Sequence, residues 1–152
     1  MNGAQADPNP ANNTTAGSTI VAEPFVSIAS AGASLIAESV TPANGALDVG
    51  ETVAMVFRLR NAGNVANTNT LTVTLLPGGG ITNQSAPVNF GILSPSGEAG
   101  SGAFTFTVVG TNGGRVNATL QVAEGSSVLT NIVFGHDLPR LHFFTNLAAI
   151  NI

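Results

Sequence analysis

Between a turn at residues 48–50 and a second at residues 61–63, side chains alternate in character. Val53, Met55, Phe57 and Leu59 face one way, and Thr52, Ala54, Arg58 and Arg60 face the other. A period of two held over eight residues and bounded by turn signals is the pattern of a half-buried antiparallel strand, not of a helix. The period returns in residues 70–76, where Leu71, Val73 and Leu75 oppose Thr70, Thr72 and Thr74. It returns again in residues 102–109, 115–123 and 128–134. Gly, Pro, Asn or Ser separates each stretch from the next, with Thr111–Asn112–Gly113–Gly114 as a hairpin signal. No stretch carries a convincing helical period.

Weaker candidates fill the gaps. Residues 33–40 form a short apolar run ended by Thr41 and Pro42, and residues 81 and 88–93 form irregular pieces. Seven to eight strands over roughly 100 residues, with turns every 8 to 12, predict an immunoglobulin-like antiparallel β-sandwich. A closed barrel is the alternative architecture. The sandwich is expected to span residues 33–135. Residues 1–32 read as an extended N-terminal segment and residues 136–152 as a C-terminal linker with a strand-like tail. Within the first, residues 1–17 are rich in Asn, Pro and Ala and read as a linker, whereas residues 18–29 turn apolar and β-branched around Pro24.

Charge narrows the function classes. Only 8% of residues are charged, against about 25% in an ordinary domain. There is no Lys, and the cations are Arg58, Arg60, Arg115 and Arg140 alone. A net charge of −4 with no basic cluster argues against nucleic acid and against an anionic membrane surface. No apolar run is long enough to span a bilayer as a helix. With no Cys, neither a disulfide nor a thiolate metal site is available. A Lys-free surface built from Asn, Thr and Ser leans towards an extracellular setting. Residues 1–11 lack the charged start and apolar centre of a signal peptide, so export implies a signal removed or lying upstream.

Groups able to do chemistry are sparse. His136, Asp137 and His142 lie close in sequence, yet no Gly-x-Ser-x-Gly elbow precedes any Ser to complete a triad. The same three side chains fall short of a fixed zinc set, and calcium has only Asp48 and Glu51, or backbone carbonyls, to build upon. The glycines at 78–80 are followed by no Lys and no helix start, so they read as a strand connection, not a phosphate loop. Four glycosylation sequons begin at Asn12, Asn13, Asn83 and Asn117, of which Asn13, Asn83 and Asn117 are the candidate sites. With no Trp and no Tyr, a sugar-binding platform has little to stack with. Neither a catalytic centre, a metal site nor a cofactor is expected.

Residues 41–68, TPANGALDVGETVAMVFRLRNAGNVANT, resemble the Ig-like repeats of bacterial surface and secreted proteins. The similar families are the cell-adhesion-related domain found in bacteria and the conserved repeat domain of large surface proteins. Segments of this kind also follow the catalytic domains of secreted bacterial proteases. The likeness rests on Gly50, Glu51 and Thr52 at the strand start and on Asn61, Ala62 and Gly63 at its end. It implies an extracellular Ig-like fold, secreted or on the cell surface, and brings no catalytic residue with it.

The two apolar segments outside the sandwich carry the functional expectation. Ile20, Val21, Phe25, Val26 and Ile28 at one end, and Leu141, Phe143, Phe144, Ile150 and Ile152 at the other, are candidate self-assembly residues. An extended segment pairs with an exposed sheet edge, and head-to-tail addition that does not close makes a filament. The expectation is therefore a non-enzymatic structural subunit that polymerises with itself, or packs against neighbouring Ig-like domains. The alternative is an accessory, spacer or adhesion module of a larger secreted hydrolase or surface protein.

Overall fold

A computed structural model describes residues 20–140. It contains eight strands and, among the described residues, no helix: β1 (Ile28–Glu38), β2 (Thr52–Asn61), β3 (Leu71–Leu75), β4 (Ile81–Thr82), β5 (Val88–Gly91), β6 (Gly100–Val108), β7 (Arg115–Glu124) and β8 (Ser127–Asp137). They form two antiparallel four-stranded sheets, ordered β1-β2-β6-β4 and β5-β3-β7-β8. In each sheet the central pair, β2–β6 and β3–β7, joins strands that are not consecutive in sequence. That is the Greek-key wiring of an immunoglobulin-like sandwich, as the alternating strands predict.

The inward residues of the clear strands supply the core. Phe57, Leu59, Leu71, Val73, Phe104, Phe106, Val116, Leu120 and Val122 are all fully buried. Each contributes about 1.5–3 kcal/mol by leaving water. A line of Phe rings crosses between the sheets. Phe90 stacks on Phe104, Phe104 meets Phe57 edge-on at 6.0 Å, and Phe57 meets Phe134 edge-on at 4.9 Å. The line ties β5 and β8, the two edges of one sheet, to β6 and β2 at the centre of the other.

Two short strands follow an order the sequence does not announce. After β3 the chain turns through Gly78, Gly79 and Gly80, all with positive φ, and β4 joins the opposite sheet against β6. Gly79 is packed so closely on the Asn117 backbone that a Cβ would collide with its carbonyl. Past Ser85, whose amide still donates to the Thr105 carbonyl, the chain crosses back and β5 pairs with β3.

Both expected domain limits move. β1 begins at Ile28 and runs through the limit set after residue 32. Gly32, with φ +113°, lies at a bulge inside this strand and is not its boundary. Ile28 is part of the core and Val26 packs against it, so two of the five N-terminal assembly candidates serve their own sandwich. At the other end β8 continues through His136 and Asp137, and Leu138 is buried in the core. Residues 136–138 are thus strand and core, not linker.

Candidate functional site

The chain enters and leaves the sandwich at opposite poles. At the entry pole, Ile28 pairs with Asn61 and the Ala62 amide donates to the Ser27 carbonyl at 2.7 Å. At the exit pole, Asp137 pairs with Arg115, the Leu138 amide donates to the Gly114 carbonyl at 2.8 Å, and the Gly113 amide donates to the Pro139 carbonyl at 2.9 Å.

Three asparagines three residues apart build the entry pole. Asn61 is 3% exposed and uses its whole amide. Its Nδ2 donates to the carbonyls of Val65 and Leu93, at 2.8 and 2.9 Å, and its Oδ1 accepts from the amides of Gly63 and Ser27. Asn64 accepts from the Phe25 amide at 2.7 Å and donates to the Glu23 carbonyl at 2.8 Å. Buried Asn67 accepts from the Leu93 amide at 2.7 Å and donates to the Asn69 carbonyl at 2.6 Å. Between them, Gly63 admits the backbone of Phe25 and Ser27 into space that a Cβ would fill. A buried polar group is tolerated when all its bonds are made, and here they hold the incoming segment and the 91–95 loop to the end of β2.

Glu51 does similar work at the exit pole. Its carboxylate is 2% exposed and accepts from the Val40 amide at 3.1 Å and the Asp48 amide at 3.4 Å. Asp48 accepts from Asn44 at 2.6 Å. Gly50, with φ +87°, makes the turn, and its amide donates to the Val108 carbonyl at 2.8 Å. Both carboxylates are occupied by the turn itself. Among the described residues no group of three or more His, Asp or Glu side chains gathers to hold a metal ion.

His136 and Asp137 diverge because neighbours on a strand face opposite ways. Asp137 is turned outward into an ion pair with Arg115 at 2.7 Å, mostly exposed and worth little in stability. His136 is turned inward beside a hollow lined by Ala33, Leu35, Leu47 and Met55. Its Nε2 is buried with no hydrogen-bond partner among the described residues. Burial, and then the Arg115 guanidinium, push the imidazole below its ordinary value of 6.5 against an opposing pull from Asp137. Among the described residues no Ser or carboxylate bonds to it.

The sheet faces offer polar but mostly neutral surface. Thr52 and Thr107 share a hydrogen bond at 3.0 Å across β2 and β6, and Asn83 donates to Thr107 at 3.3 Å. Arg58 and Arg60 are exposed on the same sheet, with Arg58 donating to the Ser34 hydroxyl at 3.2 Å. Asn83 and Asn117 are both exposed, and Asn83 sits at positive φ. Asn13 and His142 lie outside the described residues, as do Leu141, Phe143, Phe144, Ile150 and Ile152. Of the remaining assembly candidates, Ile20 and Val21 are largely exposed, and Phe25 is held through its backbone by Asn64.

Which sheet edge could accept an extended segment is not legible in the sequence, and the edges differ sharply. β4 and β5 are two and four residues long. β1 is interrupted twice, between Ser30 and Gly32 and between Leu35 and Ala37. β8 is slipped once, between Val128 and Thr130, and from Thr130 to Asp137 its pairing with β7 then advances without a slip. On its outer side no described strand pairs with it. From Ser127 to Gly135 it has no charge and no Pro, and Val128 and Val133 are 56% and 58% exposed. The signal in the sequence was the uncharged, β-branched run of residues 128–134.

Compared with known proteins, the chain matches no family model and no curated protein.

Proposed function

We propose that this chain is a non-enzymatic extracellular structural subunit, an Ig-like sandwich that assembles head-to-tail with copies of itself by β-strand addition into a surface fibre. The observation that carries this reading is polarity. The chain comes in past Ser27 and Asn61 and goes out past Gly113 and Asp137, at opposite ends of the strands. Units wired in this way line up end to end, and a heterologous contact between their poles extends without closing. Supporting it, the buried polar side chains Glu51, Asn61 and Asn67 are engaged in backbone hydrogen bonds and not directed at a ligand. The likeness of the Gly50–Thr52 and Asn61–Gly63 signatures to bacterial surface repeats supports the extracellular setting.

A spacer or adhesion module within a larger secreted protein is the second reading. What favours it is the placement of Val26 and Ile28 in their own core, which leaves the sandwich needing no strand from outside. Negative-stain electron microscopy of the purified chain separates the two. Fibres with a repeat of one sandwich length support the first reading, and single particles at every concentration support the second.

A further inference from the structure

We infer that the outer edge of β8 is the acceptor surface of this assembly, and that its occupant is the segment 141–152 of a second copy of the chain. The inference rests on the self-assembling reading above and names the contact it uses.

The acceptor is selected by what the other edges lack. A sheet edge exposes a row of backbone donors and acceptors, and proteins that stay apart blunt it with short strands, bulges, charges or Pro. β4 and β5 are blunted by length and β1 by two bulges. β8 is blunted by none of these between Thr130 and Gly135. Its inward side is fixed by Phe134 against Phe57, so the strand presents its outer edge on a rigid support. Ile132 beside it is only partly buried against the core. An added strand with apolar side chains would complete that cover.

The occupant is selected by length, chemistry and direction. Residues 141–152, LHFFTNLAAINI, contain no Lys, Arg, Asp, Glu, Gly or Pro, and two thirds of them are apolar. Extended, twelve residues span about 40 Å, enough to cover the eleven residues of β8 at about 36 Å. As far as Pro139 the chain is tied to the 113–114 turn, through the Leu138 amide and the Pro139 carbonyl. Folding back onto its own β8 would require a tight turn within residues 141–144, where no Gly, Pro, Asn, Asp or Ser stands. A turn at Asn146 would leave six residues to pair. Where copies line up head to tail, the exit pole of one sandwich faces the entry pole of the next, which is where a donated segment would arrive. There β8 begins, so the segment adds parallel to it.

Because the chain has no Cys, engineered pairs report the contact without background. The acceptor chain carries Asn131→Cys, on the exposed face of β8, and the donor chain carries Cys in turn at Phe144, Asn146 or Ala148. Ala103→Cys, exposed on β6 of the opposite sheet, is the control acceptor. Mixed under mild oxidation, Asn131→Cys with at least one donor is expected to give a disulfide-linked pair in at least tenfold excess over the control. Three results overturn the inference. A disulfide between two Asn131→Cys chains places β8 against β8 about a twofold axis. A disulfide formed only within one chain carrying Asn131→Cys and Asn146→Cys places the segment on its own edge. Fibres of the unsubstituted chain without any disulfide at residue 131 leave the self-assembling reading standing and move the contact elsewhere.

Discussion

The ring of Phe134 meets the ring of Phe57 edge-on, with centroids 4.9 Å apart and planes at 61°. This contact joins β8, at the edge of one sheet, to β2, at the centre of the other. Edge-to-face aromatic pairs add about 0.5–1.5 kcal/mol to what burial alone contributes. Phe134→Ala should therefore cost about 3–5 kcal/mol, read as a fall in the urea midpoint by far-UV circular dichroism. Amide exchange in residues 130–137 should accelerate more than in β6. Equal acceleration in both strands would show that β8 has no separate dependence on this ring.

Asn61 makes the densest set of side-chain bonds at the entry pole. Asn61→Ala leaves the buried Leu93 carbonyl, and the half-buried Val65 carbonyl and Gly63 amide, without their partner, and should cost on the order of 3 kcal/mol in chemical unfolding. Asn61→Asp should also destabilise at pH 7, because a carboxylate cannot donate to either carbonyl. A change below about 0.5 kcal/mol for both variants would show that water replaces these bonds freely.

At Gly63 the issue is space, not φ. A Cβ there meets the Phe25 carbonyl and the Ser27 amide, so Gly63→Ala must push residues 25–27 off the end of β2. The expected loss is about 1–3 kcal/mol. It should come with faster exchange at the Ala62 and Asn64 amides, which donate to Ser27 and Phe25. Unchanged protection at both would mean that the segment is not held by this approach.

These two asparagine and glycine positions mark where sequence reading stops. Alternation announces β2, β3, β6 and β7, because inward residues such as Phe57, Val73, Phe106 and Leu120 must leave water and outward ones need not. It fixes a side-chain face, not a partner. The passage of β4 to one sheet and β5 to the other depends on the 78–80 turn docking on Asn117, a contact far apart in sequence. β1 is obscured by Pro24 and Gly32, whose usual reading as breakers conceals a bulged strand. His136 and Asp137 look like a linker before Pro139, yet both pair with β7. The Asn61-Gly63 signature is recognisable as a pattern, but its reason, four bonds converging on one buried amide, is three-dimensional. Of the candidate site, the uncharged run of β8 is legible, and its being the edge with the longest unslipped pairing among the described strands is not.

His136 makes a pH prediction with a definite sign. Its folded pKa lies below the ordinary 6.5, with burial the leading cause, so the unfolded chain takes up the proton first. The stability it contributes is fully present above about pH 6.5 and is lost as pH falls from there towards the folded value. His136→Leu should remove that part of the slope in unfolding free energy between pH 7.5 and 5.5, leaving the Glu124 contribution at lower pH. The Glu124 carboxylate is held below its ordinary value by the Asn69 backbone amide and then Thr68, so its effect appears only below about pH 4.5. An unchanged slope in His136→Leu would assign the upper step to another group.

Self-assembly is the central claim, and the mass of the full chain in solution tests it most directly. Static light scattering over a concentration series at neutral pH should give a weight-average mass that climbs steadily from the 15.2 kDa of one chain, past two, without a plateau. A mass that stays at one chain throughout the series would contradict the account.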